Sequence, residues 1–196
     1  MLAAAECETE GEAFHFQHLF LAHAAVAHAE LYLAATFADG EGEVHARAPL
    51  VDALVAGVGT SGTLTGISRT LKTCNPDLYV VAVEPKSSPV LEGGQAGAHK
   101  IPGIGANFVP PFYDRSLVSE VISIEDIEAF QGAQISAALE GLCIGISAGA
   151  ALQAAIKLSK REEMKGKNIV VIFPDSIERY LSMKYFNDKP DNERLS

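Results

Sequence analysis

Gly59-Thr60-Ser61-Gly62-Thr63 sets two glycines and three hydroxyl side chains between an apolar run, VDALVAGV, and a stretch of helical spacing. At the start of a helix, the backbone N–H groups of such a turn converge at the positive end of the helix dipole. That is an anion cradle of a size for one phosphate. The glycines permit backbone angles and close approach that a Cβ forbids, and the hydroxyls add donors. No lysine stands in a G-x-x-x-x-G-K-(S/T) position and no G-x-G-x-x-G spacing is present, so nucleoside triphosphate and dinucleotide readings weaken. The bland alternative for the same five residues is a tight strand-to-helix turn with no ligand.

GISAGA (145–150) is a second glycine-rich helix entry, carrying Ser147, and a serine that merely caps a helix reads the same way. HKIPGIGANFVPP (99–111) adds a third glycine loop with Gly103 and Gly105, and three such loops can line one cleft. Glu84 and Asp175 close apolar runs at the presumed ligand edge, where they orient a ligand, cap a helix or pair with a surface base. Cys7, Cys74 and Cys143 are widely spaced and form no CxxC, which argues against a disulfide framework or a zinc site. Cys74 and Cys143 have no His or Asp placed to activate them, and both read as buried core, Cys143 within an apolar strand.

The elements that must position these groups follow from periodicity. VDALVAGV, LYVVAVEP (78–85) and NIVVIFPD (168–175) are short apolar, β-branched runs of the kind buried on both faces of a parallel sheet. LVSEVISI (117–124) alternates like a half-buried or edge strand. In the helical stretch after the first turn, Leu64, Ile67 and Leu71 share one side. A helix over 123–141 is predicted with Ser123 at its N-cap, acids in its first turn and Gly141 as its stop, and another helix follows GISAGA. The fold class is α/β, a mostly parallel sheet with flanking helices and ligand groups at the carboxyl ends of the strands.

Charge and composition separate an amino-terminal leader from this pattern. The chain has 196 residues and a net charge of -10, which argues against nucleic acid or an anionic membrane as partner. Residues 1–49 hold eight acids, one base (Arg47), five of the six histidines and no lysine. The Ala/His-rich stretch FHFQHLFLAHAAVAHAELYLAATF is predicted to be helical, and it suits neither a signal peptide nor a membrane span. His15, His18, His23 and His28 complete no tetrahedral set on a helix, so no metal is expected. The organisation is a leader (1–49), an α/β domain (50–186) and a polar tail (187–196).

VDALVAGVGTSGTLTGISRTLK, VVAVEPKSSPVLEGGQAGAHKIPGIGANFVP and GISAGAALQAAIKL with NIVVIFPDSIERYLS resemble, in order, the carboxy-terminal half of the cysteine synthase (O-acetylserine sulfhydrylase) family. These are fold-type II pyridoxal-phosphate enzymes, and the resemblance runs from about residue 50 to about residue 186. It implies the large-domain half of that fold and pyridoxal 5'-phosphate as cofactor. By the same resemblance Gly59, Thr60, Ser61, Gly62 and Thr63 hold the phosphate, Ser147 faces the pyridine nitrogen and Asp175 lies near the ring. Gly103 and Gly105 are implied at the substrate mouth.

The implied reaction is a β-replacement, in which O-acetylserine loses its α-proton and acetate and then accepts sulfide to give cysteine. The implied setting is amino-acid biosynthesis in the cytoplasm, by a transferase acting as a homodimer on a small amino-acid substrate. The family's Schiff-base lysine, in a Ser-x-Lys stretch, and its S-G-N-T-G loop have no counterpart here. No catalytic residue is therefore assigned, and the chain is read as truncated or altered at its amino end and inactive alone. Two other readings stay open. One is a non-catalytic remnant that binds the cofactor or the carboxy-terminal peptide of serine acetyltransferase; the other is a relative that makes cystathionine from serine.

Overall fold

The computed structural model describes residues 19–26 and 29–36 as backbone and residues 51–182 in full. Six strands form one sheet in the order β1-β2-β6-β3-β4-β5: β1 Leu19–Val26, β2 Ala29–Thr36, β3 Ala53–Gly57, β4 Tyr79–Pro85, β5 Glu120–Ile124 and β6 Asn168–Phe173. Only β1 runs antiparallel to its neighbour; β2, β6, β3, β4 and β5 are parallel. The helices are α1 Gly62–Cys74, α2 Asp126–Glu140 and α3 Ile146–Ser159. A parallel sheet with helices on both faces is the architecture expected from the apolar runs.

Side chains alternate across the central strands. Ala53, Val55, Val81 and Val83 enter a core with α2, α3 and β6 residues Ile169, Val171 and Phe173. Leu54, Ala56, Val80 and Ala82 enter the opposite core with Leu64 and Leu71 of α1. The α2–α3 crossing is close because two glycines face each other: a Cβ on Gly132 would fall on Gly149 O, and one on Gly149 would overlap Ala129 O. The stripe of alanines in α3, Ala148, Ala150, Ala151, Ala154 and Ala155, is wholly buried.

The leader departs from its prediction. Residues 19–26 and 29–36, expected in a helix, are strands, and β2 pairs with β6 from Glu30 against Asn168 to Ala35 against Phe173. Helix propensity is a weak prior, and an open strand edge with unpaired N–H and C=O groups overrides it. The expected helix starting at Ser123 begins three residues later. Ser123 lies in β5 with its hydroxyl donating to Glu92 (2.9 Å), and Glu125 caps α2 in a reciprocal box with Glu128. Gly141 ends α2 at φ 68, as predicted. His15, His18 and His28 and the tail 187–196 lie outside the described residues. Among the described residues no helix is long and apolar enough to cross a membrane, and no cluster of three potential metal ligands occurs.

Candidate functional site

The turn after β3 opens α1, and it is built differently from expectation in one respect. Neither Gly59 nor Gly62 takes a positive φ; the left-handed residue is Ser61, at φ 69. Ser61 is 3% exposed, with its hydroxyl 3.1 Å from Thr65 Oγ1, and Thr65 in turn donates to Phe112 O (2.8 Å). The Ser61 side chain is thus turned inward, leaving Thr60 and Thr63 as the exposed hydroxyls of the turn. A local side-chain bond holds the strained residue where a glycine would otherwise be needed.

The first turn of α1 has no acidic residue and no side-chain cap, so its leading N–H groups have no partner within the helix. A Cβ on Gly62 would meet nothing closer than Thr60 Oγ1 at 3.7 Å. Gly62 is exposed, and the space on its Cβ side is open.

Gly59 serves close approach. A Cβ there would fall on the carbonyl oxygen of Gly103, which brings the 99–105 loop directly over the turn. Gly105 N–H donates to Val58 O (3.0 Å), and Ile104 lies over Gly57. Gly103 also faces the GISAGA junction, since a Cβ on it would stand 3.8 Å from Ser147 Oγ. Gly103 and Gly105 have φ of +89 and +67, so here glycine is required by the backbone itself. The structure therefore brings Gly59, Gly103 and Ser147 to one place, with Gly103 between its two neighbours.

Ser147 reaches it by another route than predicted. GISAGA does not follow a strand: α2 ends, a short loop crosses, and a single bridge between Ile144 and Ser176 precedes α3. Ser147 is the second residue of α3, with Gly145 in the cap position, so it is not the helix cap. Gly145 N–H donates to Asp175 O (2.9 Å) and Ile177 N–H to Cys143 O (3.0 Å), which stitches the end of β6 to the start of α3. Asp175 lies over Gly145. Its Oδ2 accepts from the Tyr180 phenol, while its Oδ1 is buried without a partner. Burial, and then the bond to Asp175, push the Tyr180 phenol up to about 12.

Cys143, expected in an apolar strand, is exposed in the loop between α2 and α3. The strand expected there is reduced to the one bridging residue, Ile144. Glu84, read as a ligand-orienting group or a cap, takes the second role. It is 1% exposed and accepts Leu91 N–H (2.8 Å) at the 3-10 turn Val90–Glu92, its other oxygen unpaired. Burial raises its carboxyl above the usual value. Four lysines lie in structural bonds: Lys72 to Leu78 O, Lys86 to Glu125, Lys157 to Glu128 and Lys167 to Asp52. Sequence reasoning passed over Tyr180 and His99, whose only signals were their places in PDSIERY and HKIPGIG.

An uncapped helix start is crossed here by a glycine loop and faced by a buried serine, an arrangement that suits an anionic group. The family description "Pyridoxal-phosphate dependent enzyme" matches residues 8–175, and the chain belongs to that family. It is 50% identical over 146 residues to cysteine synthase A of Escherichia coli K12, covering 70% of this chain and 45% of that protein. It is 46% identical over 151 residues to the cysteine synthase of Buchnera aphidicola, covering 73% and 47%. The crystal structure of cysteine synthase from Entamoeba histolytica superposes with a TM-score of 0.70 at 41% identity, covering 71% of this chain and 41% of that one. The O-acetylserine dependent cystathionine beta-synthase from Helicobacter pylori gives 0.64 at 38% identity, covering 70% and 47%. The similarity is to the carboxy-terminal part of cysteine synthases, and the chain spans less than half the length of these relatives.

Proposed function

We propose that this chain carries the cofactor-binding part of a cysteine synthase, with pyridoxal 5'-phosphate held between the start of α1 and the start of α3. The observation that carries this reading is the approach of Gly103 to Gly59, with Ser147 on the other side of Gly103, beside the uncapped start of α1 at Gly62. The residues fit the group. The phosphate belongs on the free N–H groups of residues 59–63 with the exposed hydroxyls of Thr60 and Thr63, and the ring's nitrogen belongs at Ser147 Oγ.

Bound pyridoxal phosphate supplies an electron sink for bond breaking at the α-carbon of an amino acid. The residues of this chain bind and orient it. A serine hydroxyl at the ring nitrogen, unlike a carboxylate, holds no full proton there, which favours loss of a β-leaving group over a long-lived carbanion. Asp175, tethered by Tyr180, closes the ring end over Gly145, and the Gly103–Gly105 turn forms the substrate side. The reaction served is β-replacement on O-acetylserine with sulfide to give cysteine and acetate. No base for the α-proton is assigned to a residue of this chain. The exposed Phe108, Val109 and Phe112 beside the site support self-association.

Thermal melting with and without pyridoxal phosphate tests the reading. At about 100 times the dissociation constant, binding to the native state adds roughly 2.7 kcal/mol. That corresponds to a rise in Tm of roughly 5–10 °C for a domain of this size. A Gly62→Val variant, which puts a branched side chain at the open start of α1, is expected to melt normally and to lose the rise. An unchanged Tm for the native sequence at saturating cofactor overturns the reading.

A further inference from the structure

The 99–105 loop is braced from inside by one imidazole. His99 Nε2 lies 2.8 Å from Gly105 O, and Ile101 N–H points at His99 Nδ1 at 3.3 Å. A carbonyl oxygen only accepts and a backbone N–H only donates. Nε2 must therefore carry the hydrogen and Nδ1 the lone pair, and one neutral tautomer makes both bonds.

The position of the ring is tightly defined. A Cβ on Gly105 would stand 2.7 Å from Nε2 and 2.6 Å from Pro85 Cγ, so the backbone passes between imidazole and proline with no room to spare. Three contacts of the loop fall on the end of β3 and the turn after it: Gly105 N–H on Val58 O, Ile104 over Gly57, and Gly103 O over Gly59. At its near end, Lys100 N–H donates to Asp126 Oδ2 at the start of α2 (3.0 Å). Burial of Ile101 and Ile104 holds the loop down, but apolar contact carries no direction. The Nε2 bond is aimed at the Gly105 carbonyl, and the Nδ1 bond orients the ring that makes it.

We propose that His99 is a positioning residue of the site: locked as the Nε2–H tautomer between Gly105 O and Ile101 N–H, it sets where Gly103 stands between Gly59 and Ser147. This goes beyond the cofactor reading above and rests on it only for the ligand. His99 itself touches neither the phosphate turn nor Ser147, so its effect on binding passes through Gly103.

Long-range ¹H–¹⁵N ring spectra of the native chain are expected to show His99 as the Nε2-protonated neutral form. The Nδ1-protonated form, or a ring averaging between the two, overturns the proposal. His99→Leu keeps apolar volume and removes both bonds. It is expected to shift the amide resonances of Gly59 and Ser147 and to weaken pyridoxal phosphate binding about tenfold, the scale of two lost hydrogen bonds. His99→Gln keeps a donor toward Gly105 O and should recover part of both effects; His99→Asn, which keeps the acceptor toward Ile101 N–H, should recover less. Unmoved Gly59 and Ser147 resonances in all three variants overturn the proposal. If His99→Leu does not fold, the Gln and Asn variants and the native tautomer decide. A native chain that binds no pyridoxal phosphate defeats the cofactor reading alone, since the tautomer and amide resonances judge His99 without ligand.

Discussion

The carbonyl oxygen of Gly103 occupies the space that a side chain on Gly59 would need. Two loops separated by more than forty residues are thereby in backbone contact, and neither partner can yield by rotating a side chain. Gly59→Ala is expected to push the 99–105 loop off the turn and to cost about 1–3 kcal/mol, the range for overpacking. Urea denaturation checks the cost. A midpoint equal to that of the native chain would show that the loop moves freely over the turn.

Gly132 and Gly66 sit in helices and should respond to alanine in opposite ways. At Gly132 the new methyl meets the backbone of Gly149, so α2 and α3 must separate, and a loss of about 1–3 kcal/mol exceeds the gain in helix propensity. At Gly66 in α1 a methyl meets nothing within 4 Å, and alanine is expected to add about 0.5–1 kcal/mol. Melting of the two variants side by side should move Tm down for Gly132→Ala and up by about 1–4 °C for Gly66→Ala. Movement in the same direction would contradict the packing at the α2–α3 crossing.

The sequence made legible what depends on local pattern. The runs that became β3, β4 and β6 are apolar on both faces because both faces are covered, and Gly141 ends α2 in the conformation its type suggests. The turn at 59–63 stands where it was expected, between strand and helix. Three things were hidden because other parts of the chain decide them. The left-handed residue is Ser61 rather than a glycine, since Thr65, one helical turn on, ties its hydroxyl. Residues 19–26 and 29–36 read as part of an alanine-rich helix, and the open edge of β6 makes strands of them instead. The placing of Gly103 between Gly59 and Ser147 joins parts of the chain far apart in sequence, where no sequence periodicity reports it.

Glu120 and Arg161 form a paired bridge at the opposite end of β5, two bonds of 2.8 Å, with the Tyr79 phenol donating to the same carboxylate at 3.1 Å. The Arg161 guanidinium holds the Glu120 carboxyl below its usual value of 4.5. A lowered folded value means stability that is present above 4.5 and lost as pH falls through the folded value. Both side chains are about one-third exposed, so solvent screening limits the contribution to about 1 kcal/mol. Glu120→Gln is expected to lower Tm by about 2–4 °C at pH 7 and to converge with the native chain in acid. A gap that stays constant down to pH 3 would mean that the charge plays no part.

Glu84 should show the opposite pH dependence. Its carboxyl is buried, with one oxygen accepting Leu91 N–H and the other unpaired, and burial raises it above 4.5. For an acid raised in the folded state, the stabilising contribution is full below 4.5 and is lost as pH climbs through the folded value, because the fold must then hold an ill-solvated charge. Glu84→Gln keeps an acceptor for Leu91 N–H and cannot ionise. The variant is therefore expected to match the native chain near pH 4.5 and to gain on it steadily toward pH 8, by about 1 kcal/mol or more. Denaturation midpoints at several pH values measure this directly. A variant that loses ground as pH rises would show that the Glu84 charge is welcomed in the fold, and the 3-10 turn at 90–92 would then be held by an anion rather than by a neutral acid.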